Sequence, residues 1–213
     1  MCSCRGARVE AATADRSFAE RSVIGHDSRV TRLVLVTGST SAGKSTIADA
    51  LAAELGATVA SFDWLMSGLR VFPDVWAGVE LPVERQRAIG WSLLSRVAEQ
   101  QLRRGSSVVL DLVAREEPRR EWEHLAAEYG ADFRVIECVC SDPVVLRARV
   151  EGRDRSIPGW YELSWADVER SRANYQPLAA PKVVIDAVAP VDENLARVRE
   201  HLGLGHSDGT PDT

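Results

Sequence analysis

No stretch of this 213-residue sequence is a continuous apolar run long enough to cross a bilayer. The opening residues, MCSCRGARVEAATADRSFAERSVIGHDSRV, hold no apolar core of signal-peptide length. The expectation is a cytoplasmic protein without a membrane partner. Excess positive charge is missing too: 26 Lys and Arg stand against 31 Asp and Glu, a net charge of -5. Duplex nucleic acid and anionic membranes are held by clustered Lys and Arg, so a small-molecule partner is favoured over either. Cysteine is scarce, with four residues in two pairs, Cys2 with Cys4 and Cys138 with Cys140. In a reducing compartment all four stay thiols. A metal site at Cys2 and Cys4 would need further ligands, and His26 is the only imidazole nearby. Cys138 and Cys140 sit two apart in the alternating run FRVIECVC, which puts them on one sheet face as small buried hydrophobes. Internal repeats are also lacking.

What is present suits one α/β domain: 45% of the residues are hydrophobic and 27% charged. Five apolar, β-branched runs read as strands buried on both faces of a parallel sheet: RLVLVTG, TVASFD, SVVLDLV, DFRVIECVC and KVVIDAV. Helical patterns lie between them, at 44–55, 83–103, 117–129, 142–151, 164–175 and 192–202. Asp142 and Pro143 read as the cap and first position of one of these. Alternating strands and helices imply βαβ crossovers, hence a mainly parallel five-stranded sheet between two helical layers. The folded domain spans 31–204; residues 1–30 are expected to be a disordered extension and 205–213 a disordered tail.

The chemistry concentrates in VTGSTSAGKSTIADAL. Gly38, Ser39, Thr40, Ser41, Ala42, Gly43, Lys44 and Ser45, followed by Thr46, fit the phosphate-binding pattern G-x-x-x-x-G-K-[ST], straight after a strand and opening a helix. The glycines let backbone N–H groups and the helix N-terminus face phosphate oxygens. Lys44 reaches the β- and γ-phosphates, and the Ser45 hydroxyl ligates Mg²⁺. ATPases, GTPases and kinases share this loop, so the other strand ends must separate them. Two strands are read as ending on acids, TVASFD on Asp63 and SVVLD on Asp111. Ligands collect at the carboxyl ends of parallel strands, which brings both acids toward the phosphates. Asp111, behind three apolar residues, has the form of a metal-holding acid. Asp63, followed by WLMSGL, is placed to meet an acceptor hydroxyl.

SDPVVLRARVEGRDR then gathers positive charge after the fourth strand, in Arg147, Arg149, Arg153 and Arg155. Arginines closing over the phosphates would neutralise charge and exclude water. Arg149 and Arg153 share a helix face if the helix runs on through Gly152. Trp64, Met66, Phe72, Trp76 and Trp91 fall where an acceptor pocket would form, although the setting of Trp91 reads as core-facing. Trp160, Tyr161 and Trp165 follow the arginine segment, and the loop from Asp186 to Pro190 is the candidate for adenine.

Over residues 32–190, GSTSAGKST, the Asp63 of SFDWL, VVLDL and RARVEGRDR together resemble the small P-loop kinases that include chloramphenicol phosphotransferase and the zeta-toxin-type kinases. The resemblance implies strand order 2-3-1-4-5, with Asp111 beside the P-loop strand and Asp63 one strand further out. It implies ATP and Mg²⁺ as cofactors, Lys44 on the phosphates, Asp63 as base toward the acceptor hydroxyl, and a lid in which Arg149, Arg153 and Arg155 clamp the transferring phosphate. The implied activity is transfer of the γ-phosphate to a hydroxyl of a small antibiotic-, sugar- or nucleoside-like molecule. Two features depart from the pattern: the second strand carries a lone acid, and IPGWYELSWADVERSRANYQPL is long for the chloramphenicol enzyme. The acceptor therefore does not transfer with the resemblance. A nucleotide or polynucleotide 5′-kinase and an ATP-driven switch without an acceptor stand as alternatives.

Overall fold

A strand with no exposed polar face must be covered on both sides, and the central strand of this protein is such a strand. Within the computed structural model, which describes residues 30–72 and 82–204, β1 (Arg32–Gly38) is buried at every position after Arg32. It pairs in parallel with β3 (Val108–Asp111) on one side and with β4 (Asp132–Val139) on the other. β2 (Thr58–Ser61) adds to β3 and β5 (Val183–Asp186) to β4, so the sheet runs β2-β3-β1-β4-β5, all parallel. This is the expected order.

Alternation along β1 divides the core. Leu33 and Leu35 face one layer, packed with Leu94, Ala98 and Leu102 of α3 (Val83–Leu102) and with Trp122 and Ala126 of α4 (Glu116–Glu128). Val34 and Val36 face the other, with Ile47, Ala48 and Leu51 of α1 (Lys44–Leu55) and Leu195, Val198 and Leu202 of α7 (Val191–Leu202). Each such side chain, fully removed from water, contributes roughly 1.5–3 kcal/mol. A smaller cluster joins α5 (Pro143–Glu151) to α6 (Trp165–Ala173) through Leu146, Val150 and Val168.

Local chemistry sets the helix ends. Asp142 caps α5 by accepting from Val144 N at 2.7 Å and Val145 N at 3.3 Å, with Pro143 at the first position. Ser164 and Asp167 form a reciprocal capping box at the start of α6. Among the described residues, no helix is long and apolar enough to cross a membrane.

Three expectations need correction. TVASFD does not end as a strand on Asp63: ladder pairing stops where Ser61 meets Asp111, and the chain turns at once into α2 (Phe62–Arg70), with Asp63 in its first turn. A strand without a neighbour loses its reason to stay extended, and an acid in a first turn is favoured by the helix dipole. Helix α5 stops at Glu151 with Gly152 as its cap, so Arg149 and Arg153 do not share a helical face. Cys140 lies beyond β4 and packs with the α5–α6 cluster, whereas Cys138 belongs to the α1–α7 side, so the two thiols are both buried but not neighbours on one face. The expectations for residues 1–29 and 205–213, for Cys2 and Cys4, and for Trp76 lie outside the described residues.

The turn out of β1 depends on Gly38. Its φ is +144°, and a Cβ there would stand 2.1 Å from the carbonyl oxygen of Cys138. Gly38→Ala is expected to cost about 3 kcal/mol or more, from backbone strain plus overlap with a main-chain atom. Urea unfolding checks this; an unchanged midpoint would show that the turn tolerates a side chain.

Candidate active site

The loop between β1 and α1 curls through two left-handed positions, Ser41 at φ 63° and Gly43 at φ 89°. Gly43 is the N-cap of α1 and brings no side chain to its first N–H groups, which stay available to an anion. Lys44 Nζ donates to the Ser39 carbonyl at 2.9 Å, folding the ammonium back over the loop. Ser45 Oγ donates to Asp111 Oδ2 at 2.8 Å, linking the helix start to the end of β3. The loop is braced from outside: Thr40 N donates to Ser171 Oγ of α6 at 3.4 Å, and the two hydroxyls lie 2.6 Å apart.

Charge at this edge is balanced and close-set. Burial pushes the Lys44 ammonium below its ordinary value; Asp111, Cys138 and Asp63 oppose the shift, while Arg155 adds to it. Burial likewise pushes the Asp111 carboxyl up, against the pull of Lys44 and the Ser45 hydrogen bond. Asp111 is 5% exposed. Two cations, Lys44 and Arg155, thus sit among two acids, Asp111 and Asp63.

The donor set fits Mg²⁺. Ser45 Oγ and the buried Asp111 carboxylate are hard oxygens, and Mg²⁺ takes one or two protein ligands and fills the rest with water and phosphate. Among the described residues no group of three or more His, Cys, Asp or Glu makes a complete cage. These residues therefore suit a cation that arrives with its phosphates.

The arginines separate by position. Arg155 pairs with Asp63 across the cleft and its side chain is 10% exposed. Arg153 lines the same cleft. Arg149 turns away, donating through Nη2 to the Ala187 carbonyl at 2.7 Å in the loop after β5. Arg147 pairs with Glu151 at 2.8 Å. The segment from Gly152 to Ser164 is tied to α2 a second time: the Arg70 guanidinium lies 4.8 Å from the Trp160 ring and 5.0 Å from Tyr161, two rings stacked at 5.1 Å.

These elements enclose a cleft of about 1030 Å³ running from Lys44 and Asp111 past Asp63 to Trp91, Arg115 and Tyr161. Trp91 packs on the core and also borders the cleft. Met66 is buried, Trp64 and Phe72 are more than half exposed, and none of the three lines it. Trp165 packs between α5 and α6, with Arg147 5.6 Å from its ring. Sequence reasoning passed over Ser171, Tyr175 and Glu137. Tyr175 lines the cleft and donates to Glu137 Oε1 at 2.7 Å, and Glu137 also pairs with Lys182. Burial, seconded by Glu137, pushes the Tyr175 phenol up, so it remains a donor. A charged residue inside the apolar run of β4 was the available signal for Glu137; nothing local marked Ser171.

A parallel sheet of this order, with a glycine-bounded loop passing from β1 into a helix, defines a P-loop nucleotide-binding fold. Residues 33–178 match the sequence profile of the AAA domain family, and the chain belongs to that family. No curated protein matches it. Among solved structures it is similar to a gluconokinase from Sinorhizobium meliloti 1021, at 15% identity and TM-score 0.59 over 83% of this chain and 97% of that one. It is also similar to a sugar kinase from Janibacter sp. HTCC2649, at 19% identity and TM-score 0.58 over 82% and 96%. A third is the APS kinase of Mycobacterium tuberculosis in complex with AMPPNP and APS, at 20% identity and TM-score 0.52 over 82% and 98%. At these identities the shared property is the fold.

Cys138 lies under the loop, opposite Gly38 in the β1–β4 register, and burial pushes its thiol from 9.0 up to about 12. A raised value means that the stability gained by keeping this thiol neutral is complete below pH 9 and is lost as pH climbs toward 12. At pH 9 iodoacetamide should leave Cys138 unmodified in the native protein and alkylate it in urea. Peptide mass spectrometry reads the difference, and equal labelling in both states would contradict the buried neutral thiol.

Proposed function

We propose that the protein is an ATP-dependent phosphotransferase that moves the γ-phosphate to a hydroxyl of a small molecule. The observation that carries this reading is the single cleft in which the Lys44–Ser45–Asp111 group and the Asp63–Arg155 pair face one another, with room beyond Asp63 for an acceptor. A nucleotide switch has no need of a carboxylate on the far side of its phosphates beside an open pocket. Kinship with proteins named as kinases of sugars, gluconate and APS supports the same class. The finer resemblance, to chloramphenicol phosphotransferase and zeta-toxin-type kinases, belongs to this proposal, as does the assignment of 31–204 as the kinase domain.

In the proposed reaction the loop from Gly38 to Thr46 cradles the phosphates through its N–H groups, and Lys44 neutralises charge between the β- and γ-phosphates. Ser45 and Asp111 would hold Mg²⁺, which would supply positive charge to offset that of the phosphates. Asp63 accepts the proton of the acceptor hydroxyl as its oxygen attacks the γ-phosphorus. The bond from that phosphorus to the β-bridging oxygen breaks, and ADP departs with the electron pair. Arg153 and Arg155 stabilise the charge spread over the transferring group. Arg149, held at Ala187, stands on the nucleotide side with the 186–190 loop, the proposed adenine contact.

ADP release from Mg·ATP, screened over sugars, sugar acids, nucleosides and hydroxylated antibiotics, tests the class; a rate that no hydroxyl compound changes would favour the switch. With an acceptor in hand, Lys44→Ala should abolish turnover. Asp63→Asn keeps the shape and cannot take the proton, so kcat should fall roughly 10²-fold or more. Asp111→Asn should instead raise the Mg²⁺ concentration needed for half-maximal rate. Full activity in Asp63→Asn would remove the proposed base.

A further inference from the structure

Arg155 has more donors than its surroundings use. Its Nη2 donates to Asp63, its Nε is buried with no hydrogen-bond partner among the described residues, and its side chain is nine-tenths buried. A guanidinium carries five N–H donors in a rigid fork, and an unmet buried donor costs free energy. Arg155 and Lys44 line the same cleft. The fork therefore borders two places for an anion: the Asp63 carboxylate, which fills one, and the ground above Lys44, where the proposed function puts the terminal phosphate.

Asp63 is compromised in turn. The Arg155 guanidinium stands against its carboxylate and blocks the approach of a hydroxyl. We propose that Arg155 exchanges partners: it holds Asp63 in the unliganded protein and moves to the terminal phosphate of a bound triphosphate, and only this exchange frees Asp63 to receive the acceptor. The base is thus unlocked by ATP and not by ADP, and nucleotide binds before acceptor. This rests on the nucleotide reading above.

The exchange is a side-chain movement and not an opening of the lid. The segment carrying Arg155 stays tied to α2 through Arg70 against Trp160 and Tyr161. The Arg155 backbone N–H is fixed separately, donating to Glu162 Oε1 at 3.1 Å. Loss of the Asp63 contact therefore leaves the segment in place with its fork free to turn.

Calorimetric binding of Mg·AMPPNP and Mg·ADP to the wild type, Asp63→Asn, Arg155→Gln and the double variant tests this without an acceptor. Asp63→Asn should bind Mg·AMPPNP about tenfold more tightly, the scale of a partly buried ion pair, because Arg155 no longer has to leave a partner. Its affinity for Mg·ADP should not change, which also shows that the variant is folded. Arg155→Gln should weaken Mg·AMPPNP alone, and adding Asp63→Asn to it should restore nothing. An Asp63→Asn gain that persists without Arg155 would mean direct repulsion between Asp63 and the phosphate, and would overturn the exchange. Equal Mg·AMPPNP affinity in the wild type and Asp63→Asn would overturn it as well. Failure of the wild type to bind Mg·ADP at all would instead sink the nucleotide reading itself, and the exchange with it.

Discussion

A strand buried on both faces leaves nowhere along its length for chemistry, so its polar groups are displaced to its end. β1 is that strand, and its burial from Leu33 onward forces the chain to leave the sheet at Gly38 against the backbone of β4. The tight exit makes a loop that leads directly into a helix N-terminus. Everything at the site is arranged around this exit. β3 ends beside it on Asp111, β2 ends one strand further on at Ser61, and α6 returns to brace the loop through Ser171.

Charge balance is the second constraint. Taking Lys44 and Asp111 out of water disfavours the ionised form of each, as the opposite directions of their shifts show, and their mutual attraction recovers only part of that cost. A site built this way is poorly satisfied by itself: an ammonium rests on a carbonyl, a guanidinium nitrogen has no partner among the described residues, and an acid leans on a hydroxyl. The proposed polyphosphate and its cation would supply the charges that each of these groups lacks.

Some of this was legible in the residues alone, and the reasons differ. The phosphate loop was readable because its spacing is imposed by backbone geometry: Gly38 and Gly43 stand where φ is positive and any larger residue is strained. The inner strands β1 and β3 were readable because burial on both faces leaves apolar runs, whereas the edge strands β2 and β5 are partly exposed. The start of α2 was not, since FDWL continues the alternation of TVAS, and only the loss of a pairing neighbour past Ser61 decides for helix. The stop of α5 at Gly152 was likewise open until the cap was seen. Ser171 with Thr40, and Tyr175 with Glu137, act across 131 and 38 residues of chain respectively, and no local pattern encodes a contact made that far away.

That last group shows how the cleft keeps its shape. The segment from Asn174 to Leu178 forms a wall without regular structure, and irregular chain is ordinarily the first part of a site to move. Here it is pinned to the sheet, because Glu137 stands on β4 beside the P-loop strand and takes Tyr175 of the segment and Lys182 just beyond it. Glu116 at the start of α4 takes the backbone N–H of Ala179 at 3.3 Å. A carboxylate buried at 3% exposure persists only when both oxygens are met, so the pair that satisfies Glu137 and the wall that encloses the ligand are one requirement. The rigid sheet thus reaches, through one misplaced charge in an apolar strand, the part of the site that sequence periodicity leaves undefined.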